Sequence, residues 1–251
     1  MSLDDIADRI LSNKRTSVDE VQSPIHPDTH FRYNSVNLLI GKRGCEKTYF
    51  IGRELLKLCY LPNCRYTQVY YVTDKARDDT FEFVQKCCSK IEIVWVKTSD
   101  AIKVIETLAK AKGCLSNREW CESNPEEALM YRKALNADSI DGIPHTLVIF
   151  DDSIGLFNKT TTLSKKLFEN RQARITYFIA LQDVQGLNPS MKANIDSIVL
   201  FGGFPKHKFS ILTYQLPSID QFDWFTYAAL EKYDYMLVDF IDSTVQIQFR
   251  E

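Results

Sequence analysis

The sequence predicts an α/β fold with a mostly parallel central sheet, flanked by helices and closed by a C-terminal β-hairpin. Three observations predict it. From Ser35 onward, short apolar runs alternate with segments of helical apolar spacing, the pattern of a parallel sheet with covering helices. One run, Val36–Ile40, passes through a glycine-containing turn into the helix-spaced segment Lys47–Leu58. Another, Thr146–Phe150, ends in two adjacent carboxylates, Asp151 and Asp152.

The elements follow in order. Residues 1–33 read as an N-terminal leader or arm, with an amphipathic start (Ile6, Ile10, Leu11), the polar run Ser12–Ser23 and a turn at Pro24–Pro27. Residues 34–251 read as one domain. Strand Ser35–Ile40 and helix Lys47–Cys59 lead to strand Gln68–Val72, helix Asp78–Cys88 and strand Ile91–Val96. A helical insertion spans about residues 99–140, broken near Gly113 and at Asn124-Pro125. Pro125 followed by Glu126 and Glu127 is a good helix start, because proline fits the first turn and acids favour its positive end. Strand Thr146–Phe150, helix Thr161–Asn170 and strand Ile175–Leu181 come next. A short helix near Ser190–Asn194, strand Ser197–Phe201 and a strand at Phe209–Tyr214 then precede helix Ile219–Glu231, with Phe222, Phe225 and Tyr227 on one face. Tyr235–Phe240 and Thr244–Phe249 alternate as a closing hairpin around Ile241–Ser243.

Composition bounds the class. The chain has 251 residues, 45% hydrophobic and 25% charged, as in an ordinary globular protein. No stretch approaches a transmembrane span and the N-terminus lacks an apolar signal core, so no membrane partner is expected. Seven cysteines are an odd number without regular spacing, and four histidines are scattered. The expectation is free thiols, no structural metal and a cytoplasmic location. A net charge of −2 argues against an avid monomeric DNA binder. The charge is uneven, however. Asn158–Tyr214 holds eight Lys/Arg and three Asp/Glu, whereas Gln215–Glu251 holds two and seven. That asymmetry suits a local nucleic-acid face, complementary surfaces between subunits, or merely solvated faces.

The turn G-K-R-G-C-E-K-T nearly matches the Walker A phosphate loop, G-x-x-x-x-G-K-[ST]. Gly41, Lys42, Arg43, Gly44, Cys45, Glu46, Lys47 and Thr48 are the nucleotide-binding candidates. Such a loop turns its backbone N–H groups toward phosphate, and the helix behind it adds its positive end. Glu46 stands where the pattern demands glycine. Its side chain crowds the phosphates, its backbone is asked for a conformation only glycine takes cheaply, and its charge repels a polyanion. Thr146–Asp152, T-L-V-I-F-D-D, is a Walker B element. Asp151 can hold Mg²⁺ through water, and Asp152 can polarise an attacking water. The strand Ile175–Leu181 ends in Gln182, where an open α/β sheet binds ligand. Arg171 and Arg174 lie just ahead of it, and an arginine exposed there can reach a neighbouring subunit's nucleotide.

Together G-K-R-G-C-E-K-T, L-V-I-F-D-D, N-R-Q-A-R-I-T-Y-F-I-A-L-Q and N-P-S-M-K-A-N resemble the FtsK/HerA-type genome-packaging ATPases, especially those of large eukaryotic DNA viruses and their virophage relatives. The resemblance covers about Ser35–Phe201. Arg171 keeps the family's spacing of eleven residues to Gln182, and Lys192 and Asn194 match its later basic residue and asparagine. It implies a RecA-like P-loop NTPase that binds ATP and Mg²⁺. It also implies a homo-oligomeric ring, a pentamer or hexamer, that drives double-stranded DNA into a preformed capsid and meets capsid vertex proteins in the host cell or viral factory. On that likeness Lys47 neutralises the β/γ-phosphates, Thr48 and Asp151 hold the metal, and Asp152 is the base. Gln182 senses the γ-phosphate, and Arg171, ahead of Arg174, is the trans arginine finger. Three alternatives stay open: another DNA-pumping ATPase of the superfamily, a small-molecule kinase, and a degenerate P-loop scaffold, which Glu46 favours.

Overall fold

The computed structural model describes residues 24–26, 29–60, 64–75, 79–88, 91–137, 143–153, 156–157, 163, 167, 171, 173–182, 189–214, 216, 219 and 221–249. An eight-stranded sheet forms the centre. Its strands are β3 (Val36–Ile40), β4 (Tyr66–Val72), β5 (Glu92–Val96), β6 (His145–Asp151), β7 (Ile175–Leu181), β8 (Ser197–Phe201), β9 (Tyr235–Asp239) and β10 (Thr244–Gln248). The spatial order is β10-β9-β8-β3-β7-β6-β4-β5. All pairs from β8 to β5 are parallel, and the last two strands join antiparallel. The predicted closing hairpin is therefore present and extends the sheet. A small separate hairpin, β1 (Pro24–His26) with β2 (Thr29–Arg32), precedes β3. Arg32 ties it to the far hairpin through Asp239 at 3.2 Å and through Asp242.

Strand alternation builds two cores. Val36, Leu38 and Ile40 of β3, Val148 and Phe150 of β6, and Tyr177, Ile179 and Leu181 of β7 face one side. Against them pack Ile105, Leu108 and Ala111 of α3 (Ala101–Ser116) and Phe209 and Leu212 of α7 (Lys206–Thr213). Leu39, Leu147, Ile149, Phe178 and Ala180 face the other side. There they meet Phe50, Ile51, Leu55 and Leu58 of α1 (Lys47–Tyr60), Phe81 and Val84 of α2 (Asp79–Cys87), and Phe31 and Tyr33. Helices on both faces of a parallel sheet bury each strand twice, which is why β3, β6 and β7 are apolar without alternation.

The insertion holds α3, α4 (Arg118–Ser123) and α5 (Pro125–Ala134). Asn124 caps α5 with proline behind it, as the sequence indicates. The break expected at Gly113 is absent. A Cβ there would meet nothing within 4 Å, so the helix runs through at a cost of about 1 kcal/mol and ends at Ser116. The strand expected at Phe209–Tyr214 is instead helix α7. Phe209 and Leu212, three residues apart, are its buried side chains, and Pro205 precedes its first turn. The helix expected over Ile219–Glu231 shortens to α8 (Trp224–Ala228), with Phe222 and Tyr227 buried but Phe225 exposed. The short helix near Ser190 is α6 (Pro189–Lys192). The helix expected at Thr161–Asn170 falls mostly outside the described residues.

The cysteine expectation is corrected. Cys59 and Cys88 form a disulfide, with Cα atoms 5.6 Å apart. The end of α1 and the residue after α2 meet through packing of the two helices, 29 residues apart in sequence, and no local spacing records such a pair. Among the described residues no helix is long and apolar enough to cross a membrane.

Candidate functional site

The site grows from the carboxyl ends of the central strands. β7 lies between β3 and β6, so the glycine-rich loop after β3, the acidic pair after β6 and Gln182 after β7 come to one sheet edge. Two backbone bonds clip them together: Gly41 N–H donates to Leu181 O (3.2 Å) and Asp152 N–H to Ala180 O (3.1 Å).

Close packing explains the first glycine of the loop. A Cβ on Gly41 would lie 2.3 Å from Cys45 Sγ and 2.9 Å from Phe201 Cβ. Gly44 has φ +74°, and Glu46, in the pattern's glycine position, has φ +66°. A left-handed non-glycine residue costs roughly 1–2 kcal/mol, so Glu46 holds a glycine's conformation with a glutamate's side chain. The Lys47 ammonium donates to Gly41 O (2.6 Å) and Lys42 O (3.1 Å), beside Cys45 Sγ at 3.7 Å. It thus spans the loop from within. Burial pushes the Cys45 thiol pKa up, with Lys47 opposing. Lys42, Arg43 and Gly44 are exposed on the rim.

Thr48 Oγ1 donates to Asp151 Oδ2 at 3.4 Å, joining the start of α1 to the end of β6. Asp151 is buried and its same oxygen accepts from Tyr71 OH at 2.8 Å. Asp152 has φ +56°, which turns it out of the strand. Its Oδ1 accepts from Gln182 Nε2 at 2.7 Å. Lys75, just past β4, lies 3.4 Å from Asp151 Oδ2 and 3.4 Å from Asp152 Oδ2. Among the described residues no three His, Cys, Asp or Glu side chains gather to hold a metal unaided. The set on offer is one hydroxyl and one or two carboxylates, which suits Mg²⁺, an ion that keeps waters and takes phosphate oxygens for its other ligands.

Arg171 and Arg174 are not part of this group. Both precede β7 and so lie at the amino edge, with the seven-residue strand between them and Gln182. Arg171 is half exposed and pairs with Asp196 Oδ1 at 3.1 Å. Arg174 is held: its Nη1 donates to Ile143 O (2.9 Å), its carbonyl accepts from Lys112 Nζ (3.1 Å), and its φ is +50°. Lys192 and Asn194 precede β8 on the same edge, and partial burial lowers the Lys192 pKa.

Sequence reading missed three features. Tyr71 and Lys75 are in Y-Y-V-T-D-K, at the end of a strand adjacent to β6. Polar residues at that same edge were the available signal. The third is a cavity of about 410 Å³ beside the loop, lined by Glu46, Tyr49, Arg53, Tyr233, Tyr235 and Phe249 among others. Its lining comes from α1 and the C-terminal hairpin, too far apart in sequence to be read together.

No protein-family model and no curated protein matches this chain. Solved structures do match. The DNA-packaging ATPase B204 from Sulfolobus Turreted Icosahedral Virus superposes with a TM-score of 0.55 at 15% identity, over 86% of this chain and 97% of that one. The genome packaging NTPase B204 from Sulfolobus turreted icosahedral virus 2, in complex with AMPPCP, gives 0.58 at 15% identity, over 86% and 97%. EssC (ATPases 2 and 3) from Geobacillus thermodenitrificans gives 0.55 at 14%, covering 86% of this chain and 39% of that one. Such identities speak to fold, and the strand order with its loop, acidic pair and glutamine speaks to the same fold from within. The likeness is one of fold: the chain shares the α/β architecture of these ATPase structures.

Proposed function

We propose that the chain is the ATPase of a genome-packaging motor that hydrolyses ATP to drive double-stranded DNA into a viral capsid. The observation that carries this is the meeting of Lys47, Thr48, Asp151, Asp152 and Gln182 at one sheet edge while Arg171 stands exposed at the other. In this reading Lys47 leaves the Gly41 and Lys42 carbonyls for the β/γ-phosphates. Thr48 and Asp151 would hold Mg²⁺, which would supply positive charge to the phosphates. Asp152 takes the proton of the attacking water. Gln182, already bonded to Asp152, links that base to the γ-phosphate. The cavity beside the loop takes the base on its aromatic rings and the Arg53 guanidinium. Gly41 to Thr48 form the phosphate cradle.

An arginine at the edge away from its own loop serves a nucleotide only on another subunit. This supports a closed ring, pentamer or hexamer, with Arg171 as the trans finger and Arg174 as its structural neighbour. The likeness to B204, a DNA-packaging ATPase, supports DNA as the substrate, and the reading adds a capsid vertex as the docking site. A ring also concentrates the weakly basic segment Asn158–Tyr214 around one channel, so DNA binding is expected to be sequence-blind and salt-sensitive.

Glu46 sets the catalytic level. At ~5 Å and an effective dielectric of ~20, its charge opposes each phosphate charge by about 3 kcal/mol, roughly a hundredfold in affinity. The test is Mg²⁺-dependent ATP hydrolysis, with and without double-stranded DNA, by this chain beside Glu46→Gly. Hydrolysis at sub-saturating ATP rising roughly a hundredfold in the glycine form, and DNA stimulating it, is the expected result. Equal turnover shows that the loop relieves the repulsion. No turnover in either form, at concentrations where the chain assembles, favours the degenerate scaffold.

A further inference from the structure

We propose that Lys75 is a built-in counter-ion that occupies the divalent-metal position in the nucleotide-free chain and must leave before metal binds. This rests on the nucleotide-site reading and adds a residue and a regulatory step to it. The Lys75 ammonium lies 3.4 Å from Asp151 Oδ2 and 3.4 Å from Asp152 Oδ2. That places one positive charge between the two carboxylates. Asp151 Oδ2 is also the oxygen that Thr48 Oγ1 reaches at 3.4 Å and Tyr71 OH at 2.8 Å. The lysine therefore competes for the oxygen that the hydroxyl and carboxylate pair would share with a metal.

The lysine's base is fixed and its tip is free to move. Its backbone N–H donates to Thr73 Oγ1 at 3.2 Å, Thr73 N–H donates to Val96 O at 3.0 Å, and Asp74 Oδ1 accepts from Thr98 N–H at 2.9 Å. The turn after β4 is thus anchored to β5 and to the residues that follow it. The side chain is 55% exposed, so it can swing into solvent or onto an incoming phosphate without repacking a core. Two carboxylates side by side repel each other, and Asp152 turns outward at positive φ. With Lys75 seated, one of their two negative charges is offset before any metal arrives. A bound nucleotide would offer its phosphates to the ammonium as a new partner, leaving both carboxylates open to a divalent ion. Lys75 is a positioning residue here: it acts through Asp151 and Asp152.

The experiment is Mn²⁺ binding to the nucleotide-free full-length chain, read by the EPR signal of free Mn²⁺, for wild type, Lys75→Gln and Lys75→Arg. A competitor that blocks the site most of the time lowers apparent affinity by the unblocked fraction, so a lysine seated about 80% of the time costs about fivefold. Lys75→Gln is expected to bind Mn²⁺ at least about fivefold more tightly. Lys75→Arg, which keeps the charge, is expected to stay near wild type. Equal or weaker binding in Lys75→Gln, no detectable binding in either chain, or an arginine form that matches the glutamine form would each overturn the proposal. Binding of a fluorescent ATP analogue is measured on the same samples. A wild-type chain that binds no analogue would sink the nucleotide-site reading, while the Mn²⁺ comparison would still decide the role of Lys75.

Discussion

The two edges of the central sheet are built from the ends of the same strands, yet they use polar residues in opposite ways. At the carboxyl edge they point outward. Asp152, Gln182 and Lys75 are exposed, and their side-chain bonds run to one another and to Asp151. At the amino edge they point inward and bond one another. His145 Nδ1 bonds Asn34 Oδ1 at 3.0 Å, Asn34 N–H donates to Thr176 Oγ1 at 2.8 Å, and the Tyr66 and Thr176 hydroxyls meet at 2.7 Å. Asp196 accepts from Val36 N–H, and Lys112 donates to the Arg174 carbonyl. The lesson is that a charged residue near a strand end signals chemistry only when its bonds leave it able to exchange partners. Carboxyl-edge substitutions should therefore change activity and spare stability, and amino-edge substitutions should do the reverse. Arg171 is the exception: it is exposed at the amino edge and faces outward.

The largest expected effect tests that exception. Arg171→Ala should lower ATP turnover by about 10³-fold or more, the range for a lost arginine finger. Its stability should change by no more than about 1 kcal/mol, because its pair with Asp196 is half exposed. Arg174→Ala should lose about 1–3 kcal/mol of stability through its buried bonds and far less turnover. Single-turnover hydrolysis and urea melts on both variants check this. Mixing Arg171→Ala with Lys47→Ala chains should recover part of the activity, since one supplies the site and the other the arginine. If Arg174 proves the catalytic one, the contrast between a free and a held arginine fails.

A smaller effect tests whether the amino edge is a sealed polar core. Burial pushes the His145 pKa down to about 3, with the charges of Arg174, Lys112 and Arg65 adding to it. Above pH ~6.5 the ring is neutral in both folded and unfolded chains and contributes no pH dependence. As pH falls below that value the unfolded chain takes up a proton that the folded chain refuses, so stability drops. At pH 5 the loss from this one group is about 2 kcal/mol. His145→Gln should flatten that part of the stability–pH curve between pH 7 and 5, measured by urea denaturation. An unchanged slope would mean that the ring finds water and a proton in the folded state.

How much of this was legible in the sequence follows from the range of each signal. β3, β6 and β7 are short apolar runs buried on both faces, and α1 shows its buried face through Phe50, Leu55 and Leu58. All of these are local patterns, and all of them were readable. Gln182 and the acidic pair were readable as strand ends, but their mutual bond depends on β7 lying next to β6, which no local pattern states. Phe209–Tyr214 failed because six residues, F-S-I-L-T-Y, are too few to tell one period from the other, and the helix follows from packing on Phe222 and Tyr227. Cys59 with Cys88, and Lys75 with the acidic pair, failed because tertiary packing alone brings them together. Glu46 was legible as a departure from pattern, and the structure adds that its backbone sits at φ +66°.

The smallest effect is also the least intuitive. Lys112, on α3, is fully buried, and its Nζ donates to Arg174 O at 3.1 Å. Burial lowers its pKa well below the ordinary lysine value, and the nearby Arg174 charge lowers it further. Above pH ~10.5 the amine is neutral whether the chain is folded or not, and burial carries no proton penalty. Below that value the unfolded chain binds a proton more readily than the folded one, so this lysine destabilises the fold at neutral pH. Lys112→Met keeps the length and the packing and removes the penalty, at the cost of one of the two hydrogen bonds to the Arg174 carbonyl, which still accepts from Thr146 N–H at 3.0 Å. We expect a net gain of about 1 kcal/mol at pH 7, shrinking as pH rises toward 10, read from urea midpoints at both values. A loss at pH 7 would show that the bond to Arg174 outweighs the buried charge. Lys112 would then be the strut that holds the left-handed turn before β7, and with it the position of Arg171.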